Sequence, residues 1–397
     1  MTVAIARALI VATGIAAGLP ALPADAQAQS WPQRAVKFIV PFGPGAGADI
    51  NARLFADRLA KRWGQSVVVE NRPGADGIVA ITAFVNANDD HVLLFAATGS
   101  FTVHPFQYAR LPYEPGDLNP IARVSNTILV VSVPASLGVA SMSEFVALAR
   151  ERPGKLNAAP VPGITELVFS GFLKDAGLEM AKVPYRDIVQ AGADLAEGRV
   201  QVMMSSLAMI QPHVQSGKVR LLAVTSRQPV ALLPQVPTAA AAGFPTLELE
   251  GLVGLFGPRT MPAELRERIA ADVRAVADTD VSARLAGTGQ VVNTGTTADF
   301  AQAVDAQRAQ VAAIARALGM APKQWHRSRF ASSARRISAW GPAPGSRRSS
   351  PRPAPCRLPA GAGLRPARSG CRRAVPGSDF AARSAACLRQ SRARCRA

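Results

Sequence analysis

Cysteine is missing from the first 323 residues of this 397-residue chain, because all four cysteines, Cys356, Cys371, Cys387 and Cys395, lie beyond them. Their spacing does not match the paired C-x₂-C ligands of a structural zinc site. A fold built from the first 323 residues therefore has no disulfide. It must be stabilised by its hydrophobic core, for which about 290 residues are enough.

Long apolar runs are missing as well. The apolar stretch near the start, "ALIVATGIAAGLPAL", is too short and too interrupted by proline to span a bilayer. It follows a basic residue and precedes small residues around Ala26 and Ala28, which is typical of a cleavable export signal. We predict a signal peptide over residues 1–28, a mature chain that begins near Gln27 or Gln29, and a periplasmic location. A buried N-terminal helix is the alternative.

Lysine and acidic residues almost disappear from residue 324 onward. This segment holds 17 of the 45 basic residues, all of them arginine, and only Asp379 among the 27 acidic ones, so it carries +16 of the net charge of +18. The high isoelectric point therefore belongs to the tail, and we predict no nucleic-acid partner for the folded body. An Arg, Pro and Ala-rich composition without hydrophobic periodicity predicts disorder over residues 324–397. A frameshift in a GC-rich gene would produce such a tail, and a genuine polyanion-binding arm is the alternative.

Patterns of catalytic and metal-binding residues are absent. His91, His104 and His213 are scattered, with no H-E-x-x-H motif, and the chain has no G-x-S-x-G elbow. The pair Asp89 and Asp90 is more typical of a solvated turn than of a catalytic dyad. We therefore predict no metal, no cofactor and no catalytic residue.

Short β-branched runs alternate with amphipathic segments from residue 36 onward. In the first part, strands are predicted at Val36–Val40, Val67–Val69 and Val92–Phe95, and helices at Ile50–Trp63 and Gly77–Ala87. A second such series follows, and two helices close the chain. This alternation predicts an α/β fold with parallel strands and helices on both faces. We predict two lobes with a ligand cleft between them, the first comprising residues 29–128 and 250–323 and the second residues 129–249.

A glycine-rich loop, "PFGPGAGAD", joins the first strand to the first helix. The spacing of Gly43, Gly45 and Ala48 nominally matches a dinucleotide-binding fingerprint. Two residues count against that reading, because Pro44 has no N–H and Asp49 places a carboxylate where a phosphate would lie.

The loop has a better interpretation as an anion site. We predict that Asp49 is the N-cap of the helix and accepts a hydrogen bond from the N–H of Asn51 or Ala52. The amides of residues 43–48 would then be free to hold a small anion. A merely tight strand-to-helix turn is the alternative.

Seven segments in this order resemble the substrate-binding proteins of tripartite tricarboxylate transporters, the Bug-type periplasmic receptors. They are "WPQRAVKFIVPFGPGAGADINARLFADRL", "GQSVVVENRPGADG", "LPYEPGDLNPIARV", "VPYRD", "GRVQVMMSS", "SGKVRLLAVTS" and "LPQVPTAAAAGFP". The resemblance runs from about Trp31 to Lys323. It implies two α/β lobes of the type II periplasmic-binding-protein kind that close over a small carboxylate and deliver it to membrane permease subunits. We expect a monomer.

The resemblance also implies which residues bind the ligand. In this family the carboxylate is held by loop amides, hydroxyls and bridging waters. The corresponding residues here are Phe42, Gly43, Gly45, Ala46, Gly47, Thr98, Gly99 and Ser100 in the first lobe, and Ala159, Pro160, Thr165, Tyr185 and Ser205 in the second.

Three departures from the family pattern bear on the ligand. Ala48 replaces a hydroxyl residue, Pro160 and Pro162 remove amides from the second-lobe loop, and Ser205 stands where an acid is frequent. These changes favour a less polar organic acid over an amino acid. They leave open which acid is bound and which permease receives it. An exported enzyme and a degenerate homologue that no longer binds are the alternatives.

Overall fold

The computed structural model describes residues 31–185 and 187–321. The predicted signal peptide (1–28) and the predicted tail (324–397) lie outside the described residues. Within the described part, no helix combines the length and the apolar character that crossing a bilayer requires.

The chain builds a first sheet, leaves it for a second, and returns. The first part contains β1 (Val36–Val40), α1 (Gly47–Trp63), β2 (Val67–Asn71), α2 (Ile78–Ala87), β3 (Val92–Ala97), α3 (Gly99–Thr102), α4 (His104–Gln107) and β4 (Asn119–Thr127). The second part contains β5 (Leu129–Pro134), α5 (Met142–Glu151), β6 (Asn157–Ala159), α6 (Ile164–Asp175), β7 (Ala181–Lys182), α7 (Ile188–Ala196), β8 (Val202–Ser206), α8 (Leu207–Gln215) and β9 (Val219–Val224). The returning part contains β10 (Gly251–Gly257), α9 (Ala263–Val276), α10 (Thr279–Ala286), β11 (Gln290–Val292) and α11 (Thr297–Ala317).

These strands form two sheets, which we call the first-lobe and second-lobe sheets. The first-lobe sheet has six strands in the order β11-β4-β10-β3-β1-β2, and the second-lobe sheet has five in the order β7-β6-β8-β5-β9. Only Ile128 separates the end of β4 from the start of β5. The predicted α/β fold with two lobes is therefore confirmed.

The prediction of parallel strands holds only for part of each sheet. Strand β1 is parallel to β2 and β3, and β6 is parallel to β7 and β8. Strand β10 is antiparallel to β3 and β4, and β5 is antiparallel to β8 and β9. Strands β10 and β5 lie next to a lobe crossing, whereas β11, which is also antiparallel to β4, lies at the edge of the first-lobe sheet. A strand that arrives from the other lobe enters its sheet at the edge facing that lobe, where the parallel strands end, and must run against them.

Alternating residues of β1 show how the first lobe forms its core. Phe38 is fully buried against Phe55 and Leu59 of α1 on one face of the sheet. The next residue, Ile39, packs on the other face with α2 and with Phe300 of α11. Since side chains alternate along a strand, both faces are covered by helices and the strand is apolar at nearly every position.

Helix α11 covers more than the first lobe. Its first half packs Phe300 and Val304 against the first-lobe sheet. Its second half packs Val311 and Ile314 beside α6 of the second lobe, in a cluster that includes Leu167. Helix α11 therefore contacts both lobes.

Replacement of Gly254 tests the packing of β10. A Cβ at this position would lie 2.5 Å from the carbonyl oxygen of Ala122 and would also collide with the ring of Phe300. We expect Gly254→Ala to lower the free energy of unfolding by about 1–3 kcal/mol, as overpacked cores do. Chemical denaturation measures this loss. Gly43→Ala is the control, because its Cβ would meet no atom within 4 Å. Equal stability of the two variants would contradict the packing described for β10.

Candidate functional site

A cavity of about 510 Å³ lies between the two lobes. Its first-lobe side includes Phe42 and the loop before α1, and its second-lobe side includes Val161 and the loop before α6. The lobes approach each other closely beside the cavity, where a Cβ on Gly99 would lie 2.5 Å from Cγ2 of Ile164. The cavity is therefore enclosed by residues of both lobes.

Four helices begin at this cavity. Helices α1, α3, α6 and α8 each directly follow a strand, and each sends residues of its first turn into the lining. These residues are Gly47 and Ala48, Gly99 and Ser100, Ile164 and Thr165, and Ala208 and Met209, respectively. The first N–H groups of a helix have no acceptor within the helix, and the helix dipole makes that end positive. These helix starts can therefore attract an anion to the cavity without a cationic side chain.

The amide groups of these residues are available to a ligand. Among residues 31–185 and 187–321, none of these eight N–H groups has a hydrogen-bond acceptor. In contrast, the N–H of Leu207, at the start of α8, donates to the carbonyl of Ile128 at 2.8 Å. The unpaired donors are thus concentrated where the helices meet the cavity.

Charged side chains at the cavity have the opposite sign. Within the described part of the chain, Asp76, His104 and Glu250 are the ionisable residues of the lining, and no lysine or arginine belongs to it. Much of the remaining lining is apolar, including Val103 and Leu252. Attraction of an anion must therefore come from the main chain.

A buried polar cluster holds the start of α1 in place. Asn51 donates through Nδ2 to Oγ of Ser125 at 2.5 Å and to Oε1 of Gln290 at 2.8 Å. Gln290 in turn donates through Nε2 to the carbonyl of Gly47 at 2.8 Å. All three side chains belong to residues that are at most 2% exposed. The sequence gives no local signal for this cluster, because its members are far apart in the chain.

Asp49 is not the N-cap that the sequence predicted. Helix α1 begins at Gly47, its N-cap is Ala46, and Asp49 lies in the first turn. The Asp49 carboxylate accepts from the N–H of Gly45 at 2.8 Å, from Nδ2 of Asn71 at 2.7 Å, and from Arg53 at 3.0 Å. Burial would raise the pKa of Asp49, but these hydrogen bonds outweigh it and lower the pKa.

The role of Asp49 also corrects the prediction for the loop amides. The N–H of Gly45 is used by Asp49, and the N–H of Ala46 donates to the carbonyl of Gly43 at 3.3 Å. The unpaired donors of this loop that line the cavity are those of Gly47 and Ala48, at the helix start. The Asp49 carboxylate therefore holds the loop through the N–H of Gly45 and leaves the N–H groups of Gly47 and Ala48 unpaired.

Thr98 lies next to the cavity lining but is buried inside the protein. It is fully buried, its Oγ1 donates to Oε1 of Gln307 at 2.5 Å, and its N–H donates to the carbonyl of Leu252 at 2.9 Å. Gln307, on α11, donates through Nε2 to the carbonyl of Glu250 at 2.9 Å. The Thr98 hydroxyl, predicted to bind ligand, is thus engaged inside the protein.

The predicted ligand-binding residues divide into two groups. Six line the cavity: Phe42, Ala46, Gly47, Gly99, Ser100 and Thr165. Seven do not: Gly43, Gly45, Thr98, Ala159, Pro160, Tyr185 and Ser205.

Local packing explains why three second-lobe residues lie away from the cavity. Ala159 is buried in the second-lobe core, and the Tyr185 hydroxyl donates to Oδ2 of Asp194 at 2.9 Å. Ser205 is fully buried on β8, and Ser206 lines the cavity instead. A difference of one residue along a strand moves a side chain to the opposite face.

His104 is a cavity residue that the sequence gave no reason to select. Its side chain is fully buried, and its Nδ1 lies 2.5 Å from the hydroxyl oxygen of Tyr113. Its Nε2 has no hydrogen-bond partner among the described residues. Burial lowers the pKa of His104 to about 4.

One group of side chains has the composition of a metal site. Asp89, Asp90 and His91 offer ligand atoms within 4.8 Å of one another. These atoms already have partners: Arg34 pairs with Asp89 at 2.7 Å, and Nδ1 of His91 lies 2.6 Å from Asp90. The second ring nitrogen of His91 accepts from the N–H of Gln33. The group is thus held by protein contacts and lies outside the cavity lining.

Comparisons with known proteins agree with this architecture. A protein of Bordetella bronchiseptica named as a UPF0065 protein is 31% identical over 310 residues, which are 77% of this chain and 91% of that relative. An R. palustris protein solved with adipate has 30% identity and a TM-score of 0.65, covering 74% of this chain and all of the other. MatC from Rhodopseudomonas palustris, solved with bound malate, has 26% identity and a TM-score of 0.61, covering 72% of this chain and all of the other.

The family of this chain follows from a match to the sequence pattern of a whole protein family. Residues 51–320 match the family described as the tripartite tricarboxylate transporter family receptor. Because this match covers well over half of the chain, the chain belongs to the tripartite tricarboxylate transporter receptor family.

Proposed function

We propose that this protein is an extracytoplasmic receptor that binds a small organic carboxylate between its lobes and delivers it to a tripartite transporter. The observation that carries the proposal is the convergence of unpaired N–H groups from α1, α3, α6 and α8 on one cavity. Such groups bind anions because the donors and the positive ends of the helix dipoles point the same way.

The relatives support the chemical class of the ligand. Similar proteins have been solved with adipate and with malate, both of them small carboxylates. The cavity of about 510 Å³ is of a size typical for small-molecule sites. A carboxylate of this size would lie with its charge at the helix termini and its carbon chain against apolar residues such as Val103 and Leu252.

The proposal includes several features beyond ligand binding. Receptors of this family serve membrane permeases, so we propose a periplasmic location, permease subunits as partners, a monomeric state and no catalysis. The cavity lining supports the last point. Among the residues that the structure describes, His104 is the one histidine of the lining, and its Nδ1 lies beside the Tyr113 hydroxyl.

A thermal-shift panel tests the function directly. We expect the melting temperature of the purified full-length chain to rise with at least one of adipate, malate, other aliphatic acids and aromatic acids, since a ligand that binds only the folded state stabilises it. The controls are neutral amides of the same acids. The protein is first unfolded, dialysed and refolded to remove co-purified ligand. A flat response across the whole panel would mean that this protein no longer binds carboxylates.

A charge placed at the start of α8 tests the electrostatic origin of binding. Ala208 lines the cavity in the first turn of α8, where an acid favours the helix. We expect Ala208→Asp to fold normally and to bind the same carboxylate about tenfold or more weakly, because a second negative charge nearby opposes it. Isothermal titration calorimetry measures this change.

The matched control is Ala208→Asn, which has the same size and shape without the charge. We expect it to retain most of the affinity of the wild type. If the two variants bound equally well, the helix termini at this cavity would not be the source of anion binding.

A further inference from the structure

An acid without a cationic partner lines the cavity. Asp76 lies in the turn between β2 and α2, belongs to the cavity lining and is exposed. Within residues 31–185 and 187–321 its carboxylate forms no ion pair, and the one hydrogen bond that it accepts comes from the Tyr108 hydroxyl at 3.2 Å. The Asp76 carboxylate is therefore accessible to a ligand in the cavity.

Glu250, the other acid of the lining in the described part of the chain, differs from Asp76 in this respect. Its Oε1 accepts from the N–H of Arg227 at 3.0 Å, and its Oε2 accepts from Nδ2 of Asn126. Both carboxylate oxygens of Glu250 are thus used by the protein. Asp76 is the acid of the cavity that has an oxygen left for a ligand.

The turn that carries Asp76 lies beside the start of α3. A Cβ on the next residue, Gly77, would lie 3.6 Å from Cβ of Ser100 and 3.2 Å from Cβ of Pro41. Both neighbours line the cavity, and the N–H of Ser100 is one of the unpaired donors at the helix starts. One cavity therefore holds N–H donors that suit a negative group and a carboxylate that suits a positive group.

A ligand that fills the cavity removes water from the Asp76 carboxylate. A carboxylate that loses water without gaining a partner costs free energy, and a ligand carboxylate placed beside it adds repulsion. An ammonium group offsets both effects, because it donates hydrogen bonds in place of water and carries the opposite charge. The free energy of binding is therefore most favourable for a ligand that carries a positive group to Asp76.

We propose that Asp76 binds an ammonium group of the ligand, so that the cavity prefers linear amino acids with a terminal ammonium group to diacids and plain monocarboxylates of the same length. This inference rests on the proposed function, in which the carboxylate binds at the helix termini. It differs from the adipate and malate of the similar proteins. It also revises the expectation of a less polar acid, which relied partly on Ser205 standing where an acid is frequent. Ser205 does not line the cavity, whereas Asp76 does.

A matched ligand series tests this preference. β-Alanine, γ-aminobutyrate, δ-aminovalerate and ε-aminocaproate are each compared by calorimetry, using the full-length chain, with the acids in which a methyl, hydroxyl or carboxylate group replaces the ammonium. For at least one length we expect the amino acid to bind about tenfold more tightly than its three counterparts, which corresponds to about 1.4 kcal/mol. If at every length one of the counterparts binds as tightly as the amino acid, the inference is overturned. If no compound of any series binds, the proposed function itself fails.

Asp76→Asn removes the charge with little change in shape. Asp76 has a φ of 53°, in the left-handed region that asparagine also tolerates, so we expect the variant to fold. We expect its affinity for the preferred amino acid to fall about tenfold and its affinity for the matching diacid to rise, because the charge that attracts one and repels the other is gone. A purely structural role of Asp76 would weaken all ligands alike. An unchanged ratio of the two affinities would overturn the inference.

Asp57→Asn is the matched control for this variant. Asp57 is an exposed residue of α1 outside the cavity lining, so its replacement removes the same charge away from the ligand. We expect Asp57→Asn to keep the preference of the wild type. Asp76→Gly is a second variant, because glycine adopts the left-handed conformation readily, and it should behave like Asp76→Asn. If Asp57→Asn lost the preference to the same extent, the net charge of the protein would determine the preference and the role of Asp76 would be refuted.

Discussion

The site depends on N–H groups that four helices leave unpaired at one place. Each helix directly follows a strand: α1 follows β1, α3 follows β3, α6 follows β6 and α8 follows β8. In an α/β lobe such helices begin at the carboxyl edge of the sheet, which is where ligands of these folds bind. Two lobes with these edges facing each other bring all four helix termini to the same cavity. The fold itself thus places these N–H donors together.

This arrangement explains why the cationic side chains lie elsewhere. An arginine in the cavity would hold a carboxylate by permanent charge, and a receptor that must release its ligand gains little from that. Neutral donors in a cavity shielded from water bind an anion without the same electrostatic hold. Asp49 is an acid close to a helix start, but its carboxylate is paired with Arg53, Asn71 and the N–H of Gly45 and not with the first N–H groups of the helix. The amides of Gly47 and Ala48 therefore stay available.

Local patterns in the sequence were enough to predict the elements but not the contacts between them. Strand β1 has the predicted bounds, because a five-residue run with four apolar residues next to a glycine-rich loop has few other interpretations. The role of Asp49 was predicted wrongly, since aspartate is a common N-cap and nothing local shows that the helix begins three residues earlier, at Gly47 instead of Ile50. The sequence predicts a helix through Phe169–Ala176, whereas α6 begins at Ile164, because β-branched residues weaken a helix pattern that tertiary packing here overrides.

Long-range contacts account for most of what the sequence could not reveal. Asn51 and Gln290 are 239 residues apart, yet they share a hydrogen bond that fixes the helix terminus at Gly47. Likewise, the antiparallel direction of β10 follows from the path of the chain between the lobes and not from its own residues. Six predicted residues reach the cavity because they lie in strand-to-helix loops or in the first turn of the following helix, whose position the fold determines.

Helix α11 contacts both the residues that support the site and the second lobe. Gln307 joins Thr98, just before α3, to the backbone of Glu250, just before β10. Two turns further on, Val311 and Ile314 pack with residues of α6, and Gly171 of α6 leaves the space that Ile314 occupies. A movement that separates the lobes must therefore either break the packing of α11 on α6 or pull on the residues that orient α3. Since α3 and α6 both supply donors to the cavity, the same helix couples the geometry of the anion site to the distance between the lobes.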